Sequence, residues 1–151
     1  MSYTLDYDEP IPKVIERLKM EHKEIHSRLS DIYEASKKGD LKSAINSLKE
    51  ATAMILRHEV EEEARLMRVI MWEVPARSER SISIMREHRN IANFLKYSLF
   101  KLTDLPEKLA RREIRIFVND LKKHHSEEEK VVFPLALKAD LASKKRMHKI
   151  Q

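Results

Sequence analysis

Gly39 is the only glycine in a chain of 151 residues, and only five prolines accompany it. A chain so poor in the residues that build tight turns cannot reverse direction often. An all-β fold is therefore disfavoured, and a few long helices are expected. The apolar residues agree, recurring every three or four positions almost throughout. A first helix is expected from about Pro12 to Lys38, after the breaker-rich "DEPIP". Gly39 ends it, and Asp40 can cap a second helix running to about Met71. Pro75 and Ser78 mark the next turn, and a third helix covers about Ser81 to Lys101. In "TDLPE", Asp104 is expected as a cap, with Pro106 and Glu107 in the first turn of a fourth helix. Pro134 should kink or end that helix. Four long helices with short connections predict an all-α, antiparallel up-down-up-down four-helix bundle over residues 11–137. Residues 1–10 form an N-terminal arm and 138–151 a basic C-terminal tail in this reading.

Composition removes several chemistries. There is no Cys, which excludes disulfides, thiolate zinc sites, iron–sulfur clusters and cysteine nucleophiles. "MSYTLDYDEPIP" lacks a basic segment followed by an apolar one, so it does not read as a signal peptide. No apolar stretch approaches the length that spans a membrane. A soluble, cytoplasmic protein without a membrane partner is expected. The net charge of +5 is mild, and much of it lies in Lys138, Lys144, Lys145, Arg146 and Lys149. Nucleic-acid binding is disfavoured, because no DNA- or RNA-reading motif accompanies the basic tail. Trp72 and the methionines Met20, Met54, Met67, Met71 and Met85 read as core filling.

The helix phases then single out polar residues. In the fourth helix Ile114, Phe117, Leu121, His124, Glu128, Val131 and Leu135 alternate by three and four, the spacing of a core-facing seam. His124 and Glu128 occupy two of its positions. His125 lies about 100° round the helix and is expected to point away. The second helix repeats the pattern in Ala44, Leu48, Ala51, Ile55, His58, Glu62, Leu66 and Val69. His and Glu four apart share a helix face, so both can reach one ion.

An H-x-x-x-E pair alone carries little weight in a chain with seven His and 25 acidic residues. Its arrangement carries more. His58 and His124 are 66 residues apart, and so are His22 and His88, Glu21 and Glu87, Ile25 and Ile91, Leu29 and Leu95, and Glu62 and Glu128. The chain reads as two copies of a helical hairpin, each bringing a lone His and an H-x-x-x-E pair. The midpoints between successive histidines of the set fall at positions 40, 73 and 106, which are the expected turns. His22, His58, His88, His124, Glu62 and Glu128 should therefore meet at one height inside the bundle. That many buried imidazoles and carboxylates rarely balance without a cation.

Six such ligands exceed the needs of one zinc ion and suit two adjacent metals bridged by Glu62 and Glu128. Nitrogen and oxygen donors together favour iron, with manganese as the rival. The ferritin-like E-x-x-H signature is missing, since no Glu stands three residues before any His.

These residues resemble the hemerythrin-like proteins, or HHE cation-binding domains. The resemblance rests on "EH" at 21–22 and 87–88, "HEVEEEARLM" at 58–67 and "HHSEEEKVVFP" at 124–134. It implies a four-helix bundle around two non-haem iron ions with an oxo or hydroxo bridge. It also implies His22, His58, His88 and His124 as terminal ligands and Glu62 and Glu128 as bridges. Oxygen carriers of the family use a fifth histidine in an H-x-x-x-H pair on the third helix, where this chain has Ala92. Here the H-x-x-x-H pair is His22–His26 on the first helix, so His26 is expected either as the fifth imidazole or as a hydrogen-bonding neighbour. The carriers also place the carboxylate of the fourth helix one residue further along.

The resemblance implies a small gas partner: O₂, NO or peroxide. Reversible binding for storage, delivery or sensing is the leading expectation. An enzyme acting on NO or peroxide, or serving iron–sulfur cluster repair, is the alternative. A helical binding module with a structural metal is the third. Enzymatic activity and oligomeric state stay open at this level.

Overall fold

The computed structural model describes residues 4–73 and 78–150. They form four long helices, with no strand among the described residues. Helix α1 is Ile11–Lys37. Helix α2 covers residues 41–73, as the α-helical segment Leu41–Glu61, a π-helical turn Glu62–Met67 and a last segment Arg68–Glu73. Helix α3 covers residues 78–101, interrupted by a π-turn at Phe94–Ser98. Helix α4 covers residues 107–150, as Glu107–Glu127, a π-turn Glu128–Val132 and Phe133–Ile150.

The α1–α2 turn is dictated by its own residues. Gly39 adopts φ 89°, the left-handed region that a side chain disfavours. The Gly39 N–H then reaches the Ser36 carbonyl, and the Asp40 N–H reaches that of Ala35 at 2.9 Å. That double closure is a Schellman cap. The Asp40 carboxylate accepts from the Ser43 N–H at 3.2 Å and so starts α2. Pro75 lies outside the described residues. The expected Asp104 cap does not form. Leu102–Asp104 is a 3₁₀ turn, and Pro106 holds Leu105 extended, so α4 begins at Glu107 with Pro106 as its N-cap. Pro134 does not end α4 either. It sits just past the π-turn, at the second residue of the next α-helical segment, and the helix continues through it. The basic stretch after residue 137 is helical to Ile150, with Ala139 buried and Arg146 bonded to Glu73 at 2.5 Å.

The π-turns of α2 and α4 each insert one residue and rotate the helical segment beyond it. Val132 is therefore 2% exposed, while Val131, expected on the seam, is 38% exposed. In α2 the same shift buries Met67 and Ile70 and leaves Val69 half-buried. The methionine and tryptophan reading is corrected in part: Met67 is core, but Met20 and Trp72 are mostly exposed.

The core has two apolar blocks. One joins Ile25, Leu29, Leu48, Ile55, Leu95 and Leu121 towards the Gly39 turn. The other joins Leu18, Leu66, Met67, Ile84, Val132 and Phe133 towards the opposite end. The buried ionisable residues of all four helices lie in sequence between the two. No helix among the described residues is long and apolar enough to cross a membrane.

Candidate metal centre

Each helix delivers ionisable side chains to the layer between the apolar blocks. His22 comes from α1, His58 and Glu62 from α2, His88 from α3, and His124, His125 and Glu128 from α4; all are buried. Two sets of donor atoms lie within 4.8 Å of one another: His22, His58, His125 and Glu128, and Glu62, His88, His124 and Glu128. The carboxylates face both ways. Glu62 turns Oε1 to His22 Nε2 at 3.4 Å and to His58, and Oε2 to His88 Nε2 at 3.3 Å. Glu128 turns Oε1 to His22 Nε2 at 3.4 Å, and Oε2 to the Nε2 atoms of His88 at 3.2 Å and His124 at 3.3 Å.

The sequence reading placed six of these residues in one layer, and the fold brings those six together. It misjudged His125. That ring is fully buried, stacked on His22 at 3.9 Å between centroids. The buried stripe of α4 is wider than a strict three-four seam, because Val118 and His125 join Phe117, Leu121 and His124 inside. A signal was available: Val118, His125 and Val132 are spaced by seven, a second inward column beside the first. His26 lies in neither donor set. Its Nε2 stands 3.2 Å from His125 Nδ1, the hydrogen-bonding position that was the alternative to direct ligation.

An outer ring of carboxylates, not foreseen as part of the site, holds the imidazoles. Glu21 meets His58 Nδ1 at 2.7 Å, Glu87 meets His124 Nδ1 at 2.6 Å, and Glu63 meets His88 Nδ1 at 3.0 Å. Glu129 lies 3.7 Å from His22 Nδ1. The 66-residue repeat relates these too, Glu21 to Glu87 and Glu63 to Glu129. A carboxylate on Nδ1 sets the tautomer that leaves Nε2 as the inward lone pair, as metal-binding histidines require. Arg17 bonds Glu9 at 2.6 Å, Glu61, and Glu21 at 3.5 Å, tying the N-terminal arm to the His58 partner.

The electrostatics mark strong coupling. Burial works against a charged His58, yet Glu62 and Glu21 outweigh it and hold its pKa up at about 9. Burial likewise opposes a charged His88, and Glu62 with Glu63 brings it to about 9. Glu62 is driven well below the usual carboxylate range, its burial overcome by His58, His22 and His88. Burial and then His22 and His58 push His125 well below an ordinary histidine.

Whether these residues suit a cation is testable on their own bonding. Both nitrogens of His22, Nε2 of His58, His124 and His125, both oxygens of Glu62 and Glu128 Oε1 are buried without a hydrogen-bond partner. Orphaned polar atoms on this scale are costly unless something satisfies them together. Nitrogen and oxygen donors converging from two sides fit divalent first-row metals. The family model for the hemerythrin HHE cation-binding domain matches residues 13–136, and again 83–150. The chain belongs to that family. No curated protein and no solved structure matches it. The HHE family thus accounts for cation binding and for the repeated histidine and glutamate layer, whose donors stand close enough to hold a metal.

Proposed function

We propose that this HHE domain is a non-haem di-iron protein that binds O₂ or NO. His22, His58 and His125 would hold one iron and His88 and His124 the other, with Glu62 and Glu128 serving both. The observation that carries this reading is the split of each carboxylate, with one oxygen turned to each histidine group. His125 replaces the fifth histidine that the family's oxygen carriers place on the third helix, so Ala92 does not rule out a five-histidine set. Manganese is the alternative occupant. We read the bundle as antiparallel up-down-up-down, since residues equidistant from each short turn share a layer.

A bound pair of ferrous ions supplies the electrons that a small diatomic ligand can accept. The chain's own residues do the rest. Glu21, Glu63 and Glu87 fix the ring orientations, and the apolar blocks on either side exclude water. The side with two histidines has fewer ligands. It is flanked by a groove of about 590 Å³ that includes Glu87, Phe94 and His124, and another of about 330 Å³ that includes Glu63, His88 and Ala92. Such openings favour exchange of a ligand there. They equally favour the second reading, an enzyme that turns over NO or peroxide.

Anaerobic iron(II) titration followed by visible spectra decides. Two iron ions per chain and a charge-transfer band that appears with O₂ or NO and reverses on removal are expected. A band that forms and does not reverse, with loss of the gas, would move the assignment to the enzyme. One ion per chain with no ligand-dependent band would reduce the metal to a structural role.

A further inference from the structure

A second groove has chemistry opposite to the metal centre. Lys108, Arg111, Arg112 and Arg115 stand at i, i+3, i+4 and i+7 of α4, hence on one face. With Lys37 from the last turn of α1 they line a groove of about 360 Å³. No carboxylate is among its lining residues, and among the described residues none of these five cations is in an ion pair. The remaining wall is Tyr33, Ser36 and Leu109, an aromatic ring and an apolar edge beside the charges.

This placement is unfavourable for the isolated fold. Lys108–Arg112 and Arg111–Arg115 are like-charge pairs four apart, each destabilising. Lys108 also stands in the first turn of α4, where the helix dipole disfavours a cation and no side chain caps the helix. One anion in the groove would answer both costs at once. The groove lies about twelve residues along α1 and α4 from His22 and His124, roughly 18 Å, so it is not part of the metal centre.

We propose that this groove binds a small organic anion carrying a phosphate chain, of the nucleoside di- or triphosphate class. The guanidinium groups of Arg111, Arg112 and Arg115 take the phosphates as planar, multidentate donors. Tyr33 and Leu109 supply the surface for the ring. The volume is that of a small-ligand site. The proposal does not depend on which metal the bundle holds.

Calorimetric titration of the metal-loaded protein with ATP at physiological ionic strength tests it, with inorganic tripolyphosphate and a short DNA duplex as further probes. Saturable one-to-one binding of ATP is expected. The exposed pair Arg112→Ala/Arg115→Ala should weaken it by about tenfold or more. Lys144→Ala/Lys145→Ala, an equal charge loss at the C-terminal end, should leave it unchanged, and metal content should be constant throughout. Tripolyphosphate should bind the same residues more weakly than ATP. No saturable binding, or equal weakening by both double variants, would overturn the proposal. So would tripolyphosphate as tight as ATP, or a duplex held more tightly than ATP by Arg112 and Arg115.

Discussion

His125 and His26 separate a side chain in the donor layer from one that supports it. His125 Nε2 is buried and unpartnered, while its Nδ1 faces His26. If His125 serves one metal and His26 only orients it, the two substitutions must differ. His125→Ala is expected to weaken iron retention on the His22–His58 side more than His26→Ala does, because it removes a donor outright and leaves that side two imidazoles, as many as its neighbour has. His26→Ala should keep the full content with weaker binding, by about 10–100-fold, the usual cost of removing such a partner. Glu128→Ala should empty both positions, since Glu128 belongs to both donor sets. Metal analysis of the purified variants after loading checks all three. Full iron in His125→Ala would return that residue to a packing role.

The π-turns explain why helix phase was legible up to the acidic residues and not beyond them. Before Glu62 and Glu128, every seam position named by three-four spacing is buried, although the buried stripe of α4 also takes in Val118 and His125. After them, one inserted residue rotates each helix, and nothing in the local sequence announces the insertion. At 131 and 132 both residues are Val, so polarity could not choose between them. The structure does choose: Val132 belongs to the second apolar block and Val131 faces solvent. Val132→Ala should therefore destabilise the metal-free bundle by about 1–3 kcal/mol, and Val131→Ala by no more than about 0.5 kcal/mol. Denaturant midpoints of the two variants test it, and a larger loss at Val131 than at Val132 would show that α4 keeps an unbroken α-helical phase.

Across the bundle, the metal-free protein balances buried charges against each other, and its pH dependence should show it. His58 and His88 are raised to about 9, so their contribution is complete below the unfolded pKa near 6.5 and is lost as pH rises through about 9. Glu59, pushed up to about 8 mainly by burial, acts in the same direction: folding favours its proton, and that advantage fades above its ordinary range. His125 has the opposite sign. Its folded pKa is depressed, so its contribution is complete above about 6.5 and falls as acid protonates the unfolded chain. Between about pH 4.5 and 6.5 the opposing slopes of Glu59 and His125 offset each other, so the thermal midpoint of metal-free protein should be level there and decline as pH rises through about 9. Metal should flatten the alkaline decline, because bound cations replace the protons on His58 and His88. An identical pH profile with and without metal would mean that the cation does not sit among these rings.

Helix number, the Gly39–Asp40 turn, the two-fold repeat and six of the seven donor residues were readable because each has a local or periodic signature. A single glycine in a helical pattern marks one sharp turn, and H-x-x-x-E repeated at 66 residues states its own geometry. Other features depended on neighbours. His125 is inside because α4 packs against α1 as well as the rest of the bundle, which widens its buried stripe. The outer carboxylates became visible only once helices remote in sequence stood side by side, as with Glu63 of α2 against His88 of α3. Spacing along one helix tells which residues share a face; only packing against the other three sets how wide that face is and what meets it.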